Sequence, residues 1–283
     1  MVFYKKCYNI KMQAEVWSQI RYFDIHSHLE AEYYGGALDE VVERMRENKV
    51  ATITVGTNLE LSREAVRMAE KYDIVWASIG IHPEHEMTEV WNEAEWEELV
   101  KKEKVVAIGE CGLDYGREGK IEEEEKEKQW RLFEKQIDFA VKWNKPLMLH
   151  IRNAHQDVLE ILRRKQKEYG EKLRGNVHFF SGKTSEAQEY VELGFSLSFT
   201  GVITFVSDYD KPLREVPLNI LMAETDSPFV TPAPYRKKGE YVRNEPSYVI
   251  EVVKKMAETR GEDEEVLRQR VLENVIVFFD IRW

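Results

Sequence analysis

The sequence predicts a single-domain (β/α)8 barrel of the TIM type. Eight short apolar runs have the length and composition of buried parallel strands. They lie near residues 22–25, 50–55, 74–79, 105–108, 146–150, 176–179, 195–199 and 220–223. Several of these runs end on, or just before, a residue that binds metals or transfers protons. A chain of 283 residues is long for one domain, but α/β barrels reach this length undivided.

Amphipathic helical patterns separate most of these runs. They lie near residues 37–48, 60–71, 91–103, 121–144, 155–169 and 184–193, and two more, near 246–259 and 263–279, follow the last run. A doubly wound open sheet would show the same alternation, but it would not bring residues from the first and last strands to one point. A closed barrel brings these residues together, and the catalytic groups of such barrels lie at the carboxyl ends of the strands.

The composition, 43% hydrophobic and 33% charged, fits a globular protein with a full core. No apolar stretch approaches the roughly 20 residues that span a bilayer, and no signal-peptide pattern opens the chain, so we expect a cytoplasmic protein. Cys7 and Cys111 are the only cysteines, which fits a reducing compartment. Met12 offers a second possible start, which would leave the first eleven residues outside the fold. We expect residues 1–20 to be an N-terminal extension and residues 21–283 to form the barrel.

The net charge of −11 argues against a protein that coats nucleic acid with a basic face. It does not exclude an enzyme that acts on nucleic acid, because bound divalent cations would bring positive charge to the position of a phosphate. Part of the acidic charge is concentrated in residues 122–125. We interpret this run as the solvated start of a helix, where acids complement the helix dipole.

The first metal-ligand candidates follow the first and fourth runs. His26 and His28 are two residues apart, so both imidazoles project from the same face of a strand end and make a compact ligand pair. Glu110 follows the fourth run between Gly109 and Gly112, and glycines allow neighbouring backbone to approach closely. We predict that Glu110 bridges two ions, since a shared carboxylate suits ions about 3.5–4 Å apart. The alternative is a buried glutamate paired with an arginine.

Three later runs supply further ligand candidates, His150, His178 and Asp226. Asp226 is also expected to accept a proton from attacking water. Arg152 shares a strand face with His150 and offers a planar donor fork for a phosphate, although a salt bridge to a nearby carboxylate is an equal alternative. His82 also faces the barrel mouth, and we interpret it as a contact to the substrate or leaving group.

The loop after the last run, residues 231–239, is basic and rich in proline. Arg236 in this loop and Asn244 just beyond it are predicted to contact the substrate. Cations beside an aromatic residue on the rim of a site suit a polyanionic strand. An ordinary solvated loop is the alternative, and composition does not separate the two.

Together these segments resemble the TatD family of metal-dependent deoxyribonucleases, within the amidohydrolase-like barrels. The resemblance covers the chain from about Phe23 onward and rests on residues 24–29, 80–83, 108–115, 150–155, 178–182, 224–228 and 244–246. It implies a divalent-metal nuclease that acts on DNA ends, often from the 3′ side. It also implies metal ligation by the six candidates His26, His28, Glu110, His150, His178 and Asp226. The sequence departs from the family pattern at Phe179 and at residues 236–240.

The leading hypothesis is therefore hydrolysis of DNA phosphodiester bonds by metal-bound hydroxide, as in a 3′–5′ exonuclease. Glu110 and Asp226 are the catalytic residues, two ions (magnesium, manganese or zinc) are the cofactors, and single-stranded DNA ends are the substrate of an expected monomer. The first alternative is a metal-dependent amide or aminoacyl-ester hydrolase, such as a D-aminoacyl-tRNA deacylase. Glu110 favours the phosphodiester hypothesis, because amidohydrolases often place a modified lysine at that strand. A binding protein without activity is the second alternative.

Overall fold

All described strands lie in one parallel sheet that curls into a nearly closed barrel. The computed structural model of the protein describes residues 20–85, 91–116, 118–236, 239–240 and 242–282. The strands follow one another around the sheet in chain order. They are β1 (Tyr22–Ser27), β2 (Val50–Val55), β3 (Val75–Ile79), β4 (Val105–Asp114), β5 (Leu147–Arg152), β6 (Gly175–Val177), β7 (Ser196–Phe199) and β8 (Leu221–Ala223). The predicted (β/α)8 barrel is confirmed.

Helices connect the strands and cover the outside of the barrel. They are α1 (Ala31–Tyr34), α2 (Leu38–Glu47), α3 (Leu59–Lys71), α4 (Glu93–Val100), α5 (Glu123–Lys142), α6 (His155–Tyr169), α7 (Thr184–Glu192), α8 (Asp210–Glu215), α9 (Val249–Arg260) and α10 (Glu264–Phe279). The short helices α1 and α8 are not anticipated by the sequence patterns. The other eight correspond to the eight predicted helical patterns.

The strands are apolar because the barrel buries them on both faces. Every residue of β2, β3 and β4 is buried, and the same is true of β6, β7 and β8. A strand enclosed on one side by the barrel interior and on the other by helices has no solvent face, so its residues are mostly apolar, and its few polar residues, such as Thr52 and Ser198, are buried with hydrogen-bond partners. This burial fixes the carboxyl ends of the strands at one mouth.

The seam between β8 and β1 is closed by side chains as well as backbone. The Asp24 carboxylate accepts hydrogen bonds from the Thr225 backbone N–H at 2.8 Å and from the Thr225 hydroxyl at 2.6 Å. The His28 backbone N–H donates to the Ser227 carbonyl at 2.7 Å. Asp24 therefore joins the first and last strands, and both strands present their following residues to the same mouth.

Two glycines let β4 approach β5 more closely than other residues could. Gly109 and Gly112 have φ angles of 152° and 141°, which L side chains rarely adopt. A Cβ at Gly112 would overlap the carbonyl oxygen of His150, and one at Gly109 would overlap that of Met148. The close approach predicted for the glycines beside Glu110 is therefore present.

The ends of three helices carry residues that stabilise helix termini. Three acids in the first turn of α5, at positions 123–125, complement the helix dipole, and residues 122–124 are exposed. Gly261 ends α9 in the left-handed conformation, and the Asp263 side chain caps α10 by accepting a hydrogen bond from the Val266 N–H at 3.0 Å. The gap between the helical patterns predicted near 246–259 and 263–279 is therefore confirmed.

Most of the predicted N-terminal extension, residues 1–19, lies outside the described residues. Ile20, which the prediction assigned to the extension, is buried in the core with 5% of its surface exposed. None of the helices formed by the described residues is long and apolar enough to cross a membrane.

We predict that Gly112→Ala lowers the free energy of unfolding by at least about 1–3 kcal/mol, the usual cost of overpacking a core. The added methyl group collides with the His150 carbonyl, so either β4 or β5 must shift. Denaturant unfolding measures the change. The control is Gly36→Ala, where a Cβ meets nothing within 4 Å. Equal stability of both variants would contradict the close approach.

Candidate metal centre

The six predicted ligands converge at the carboxyl ends of five strands. His26 and His28 come from the end of β1, Glu110 from β4, His150 from β5, His178 from the residue after β6, and Asp226 from the segment after β8. Ligand-type atoms from these side chains form overlapping groups whose members lie within 4.8 Å of one another. The barrel therefore brings together residues that are widely separated in the chain.

The Glu110 carboxylate lies at the middle of this arrangement, and its two oxygens face different histidines. Oε2 is 3.4 Å from Nε2 of His26 and 3.9 Å from Nε2 of His28. Oε1 is 2.9 Å from Nδ1 of His150 and 3.2 Å from Nε2 of His178. One carboxylate thus faces two separate clusters of donor atoms.

On the Oε2 side, His26, His28 and Asp226 form one cluster. The Nε2 atoms of the two histidines are 3.2 Å apart, and Oδ1 of Asp226 is 3.6 Å from Nε2 of His28. Nδ1 of His28 lies 3.1 Å from the Val55 carbonyl oxygen, to which it donates a hydrogen bond. Because Nδ1 of His28 is held by the Val55 carbonyl, Nε2 is the ring nitrogen that faces the cluster.

On the Oε1 side, a further carboxylate joins the predicted ligands. Oδ2 of Asp114 is 2.7 Å from Nε2 of His150, and Asp114, His82 and His150 form a group of possible ligands. Asp114 is not among the ligands predicted from the sequence. The two-residue period of β4 places Asp114 on the same face as Glu110, and this signal could have identified it.

Glu224 is a second carboxylate whose role the sequence reasoning did not find. It is completely buried, and its Oε1 accepts hydrogen bonds from Nδ1 of His178 at 3.1 Å and from the Phe179 N–H at 2.6 Å. Its Oε2 accepts a hydrogen bond from the Ser198 hydroxyl at 2.7 Å. With its Nδ1 proton held by Glu224, His178 presents Nε2 to Glu110. A carboxylate of this kind fixes the orientation of a metal-binding imidazole.

The electrostatics of the centre favour a cation. Burial disfavours the charged form of Glu110, yet His82, His178 and His26 hold its pKa well below its ordinary range. Burial likewise opposes ionisation of Asp226, but a hydrogen bond from His28 and the surrounding imidazoles lower its pKa. For His178, burial favours the neutral ring, while Glu224 and Glu110 raise its pKa to about 10.

This donor set fits divalent metal ions. Within the part of the chain that the structure describes, only imidazoles pair with Glu110 and Asp226, and neither carboxylate has a lysine or arginine partner. Nδ1 of His26 is buried without a hydrogen-bond partner. Buried carboxylates and imidazole rings directed at a common point are the usual ligands of zinc, manganese and similar ions, which take the place of protons on the rings.

The predicted substrate contacts differ in how the structure places them. His82 accepts a hydrogen bond at Nδ1 from the Glu84 N–H, so its neutral ring carries a proton on Nε2, 3.6 Å from Glu110. This is a donor at the mouth and supports its interpretation as a substrate contact. Arg152 is 44% exposed and lies 3.3 Å from Asp114. The anticipated salt bridge is present, and the exposed side chain still reaches the mouth.

The two predicted substrate contacts that follow β8 differ in exposure to solvent. Arg236 is exposed, and its guanidinium lies 3.9 Å from the centre of the Phe205 ring. Asn244 is completely buried, and its amide nitrogen donates to the carbonyls of Thr225 and Phe229 at 3.0 and 2.6 Å. A direct substrate contact by Asn244 finds no support, because this side chain holds the loop instead. Lys237 and Lys238 lie outside the described residues.

Cys111 is a core residue and not a reactive thiol. It is completely buried, and its sulfur lies 3.7 Å from the carbonyl oxygens of Ile108 and Met148. Burial and the neighbouring Glu110 raise the pKa of the thiol. Cys111 therefore packs as a small apolar residue beside the site.

A (β/α)8 barrel whose mouth gathers buried imidazoles around shared carboxylates belongs to the class of metal-dependent hydrolases. The sequence matches the family model of the TatD-related DNases over residues 23–280. The chain therefore belongs to the TatD-related DNase family, and the resemblance drawn from its motifs is confirmed.

Relatives and solved structures agree with this assignment. The metal-dependent hydrolase YabD of Bacillus subtilis is 39% identical over 264 residues, covering 92% of this chain and 99% of the relative. The 3′-5′ ssDNA/RNA exonuclease TatD of Klebsiella pneumoniae is 36% identical over 270 residues, covering 92% and 98%. The crystal structure of the TatD homologue YjjV of Escherichia coli superposes with a TM-score of 0.80 at 27% identity, covering 93% of this chain and 99% of that one.

We predict that Glu224→Gln weakens metal binding about 10- to 100-fold, the usual effect of removing a partner that orients a ligand. The introduced amide nitrogen would face Nδ1 of His178 or the Ser198 hydroxyl, so His178 loses its fixed orientation. Calorimetric titration with manganese measures the change. Glu192→Gln on the exposed side of α7 is the matched control. Unchanged affinity in both variants would contradict the role of Glu224.

Proposed function

We propose that the protein is a divalent-metal-dependent 3′–5′ exonuclease that hydrolyses phosphodiester bonds in single-stranded DNA. Membership of the TatD-related DNase family supports a nucleic-acid substrate. The relative from Klebsiella pneumoniae, which is named a 3′-5′ ssDNA/RNA exonuclease, supports the polarity and the single-stranded substrate.

The two-sided environment of Glu110 is the observation that carries the proposal. Its Oε2 faces His26 and His28, whereas its Oε1 faces His150 and His178. A carboxylate placed in this way can bridge two ions, one in each cluster, with Asp226 completing the first. Two adjacent ions are the usual arrangement for in-line displacement at a phosphate. The proposed cofactors are two magnesium, manganese or zinc ions.

When bound, divalent cations polarise the phosphoryl group and offset the negative charge that develops during attack. The protein residues position the other participants. Asp226 lies at the edge of the His26–His28 cluster and is less buried than Glu110, so its Oδ1 can accept the proton from the attacking water. His82, with its proton on Nε2, donates to a phosphate oxygen or to the leaving oxygen. Arg152 offers its planar fork to the phosphate from the exposed side.

The alternative function, hydrolysis of an amide or aminoacyl ester, is less well supported. The same barrel and the same ions could activate water toward a carbonyl carbon. The family and the named exonuclease relatives favour the phosphodiester. Glu110, rather than a modified lysine, provides the bridging group here.

The remaining features of the proposal concern the whole protein. We propose a cytoplasmic monomer in which the hydrolase barrel begins at the buried Ile20, one residue before the predicted boundary of 21, and residues 1–19 are an extension to it. Gel filtration with light scattering tests the monomer. A truncation that begins at Met12 and retains full activity would agree with a dispensable start of the extension.

The central prediction is that the purified protein shortens single-stranded DNA from the 3′ end in magnesium or manganese. Glu110→Ala and Asp226→Ala should lower the rate by at least about 1,000-fold, because each removes a ligand and a catalytic charge. Gel electrophoresis of 5′-labelled oligonucleotides measures the activity. Glu251→Ala on α9 is the control carboxylate. Activity that persists in either site variant would indicate a wrong site, and products formed from the 5′ end would refute the polarity.

A second prediction concerns the number of ions. Elemental analysis of the protein after reconstitution with manganese or zinc should give two ions per chain. His28→Ala and His150→Ala should each lose binding at one position, because the two histidines face different oxygens of Glu110. A single ion in the wild-type protein, or loss of all metal in both variants, would contradict the two-position arrangement.

A further inference from the structure

Three large aromatic side chains are exposed on the loops that follow β7 and β8. Phe205, Phe229 and Tyr235, which we call the rim aromatics, expose 40%, 42% and 39% of their surfaces. In the described ranges, the other large apolar side chains with this exposure are Val266 and Val277, both on α10. Exposed aromatic rings gathered beside a catalytic mouth indicate a binding surface.

Phe229 lies beside the metal centre. Its ring centre is 6.0 Å from that of His28, with the two rings at 65°. The Tyr33 ring also packs against Phe229 in an edge-to-face contact, with ring centres 5.5 Å apart. A flat group lying on Phe229 would therefore be next to a phosphate held at the His28 side of the centre.

The backbone of Phe229 is held in a fixed position. Its N–H donates to the Asp226 carbonyl at 2.9 Å, and its own carbonyl accepts from the buried Asn244 amide at 2.6 Å. The segment that carries Asp226 therefore also fixes Phe229. A ring that is already in place loses little conformational freedom when a ligand binds, which favours affinity.

A second rim aromatic, Phe205, lies on a loop that is tied to the loop of Phe229. The β7 and β8 loops are joined by a hydrogen bond from the Ala233 N–H to the Thr204 hydroxyl at 2.9 Å. The Arg236 guanidinium lies over the Phe205 ring, 3.9 Å from its centre. This pair places a cation beside an exposed ring, which is the combination that a sugar-phosphate strand with unpaired bases requires.

We propose that Phe229 is a stacking platform for the nucleobase adjacent to the scissile phosphate, and that Phe205 with Arg236 binds the next part of the strand. This inference rests on the proposed nuclease function and adds the means by which it selects single strands. Every base has a π-face, so stacking does not read sequence. A base inside a duplex is already stacked and paired, and it cannot lie on Phe229 without leaving the helix.

The test compares a single-stranded oligodeoxynucleotide with the same strand whose three 3′-terminal nucleotides lack bases. Binding is measured by fluorescence anisotropy with manganese in an Asp226→Asn background, which slows cleavage. Phe229→Leu keeps an apolar group against Tyr33 but removes the ring face, and Phe229→Trp keeps a ring. Val277→Ala is the control for an exposed apolar residue away from the rim aromatics.

Phe229→Leu should raise the dissociation constant of the normal strand roughly 5- to 150-fold, equivalent to about 1–3 kcal/mol for one stacked base. It should raise the dissociation constant of the abasic strand much less. The ratio of the abasic to the normal dissociation constant therefore falls in Phe229→Leu and is kept in Phe229→Trp. Equal weakening of both strands would assign Phe229 a purely structural role, and no change in either would exclude contact. Both results overturn the inference.

The two proposals fail in different ways. If the wild-type protein binds the normal strand in a ring-dependent manner but hydrolyses no strand with any metal, the exonuclease function is wrong and the platform stands. If it degrades both strands equally in every Phe229 variant, the function stands and the platform is wrong.

Discussion

The Glu110 carboxylate, buried among the ring nitrogens of five histidines, is the interaction on which the mouth of this barrel depends. Its oxygens lie 2.9–3.9 Å from His26, His28, His82, His150 and His178. Burying a lone ionised carboxylate costs desolvation free energy, and Glu110 stays ionised because positively charged groups surround it. Some of these imidazoles are in turn oriented by a hydrogen-bond partner on the far side of the ring, such as Val55 for His28 and Glu224 for His178. The centre is therefore a network, and its members cannot be placed independently.

The barrel provides this network with fixed points of attachment. The donors come from the ends of strands that are buried on both faces, and the glycines of β4 bring its backbone close to β5. The loops after β7 and β8 then add exposed rings and a cation beside the same mouth. Under the two proposals, the ends of the β-strands would supply the chemistry and the loops would bind the single-stranded DNA.

Much of this arrangement could be predicted from the sequence, because parallel strands in a barrel are apolar runs that end at one mouth. The two-residue period identified His26 with His28 and Arg152 with His150. The helix α8 was missed, since its six residues include Pro212 and are too short to show a helical period. Glu224 was not recognised because its role depends on His178, a partner 46 positions away. Asn244 looked like a rim residue, and only the fold shows that its amide is enclosed by the β8 loop.

The metal centre forms only when the barrel is completely folded, because it spans the seam between β8 and β1. Asp24 and Thr225 are 201 positions apart in the chain, so their contact closes a very long loop. The entropy lost in closing that loop outweighs the stability that the contact contributes until the intervening strands are ordered. His28 and Asp226 stand on opposite sides of that seam. An ion held between them would bind the closed barrel and not the unfolded chain, so it would raise the folded population as its concentration rises. The supply of metal in the cell would then control how long the protein survives proteolysis, as well as how fast it works.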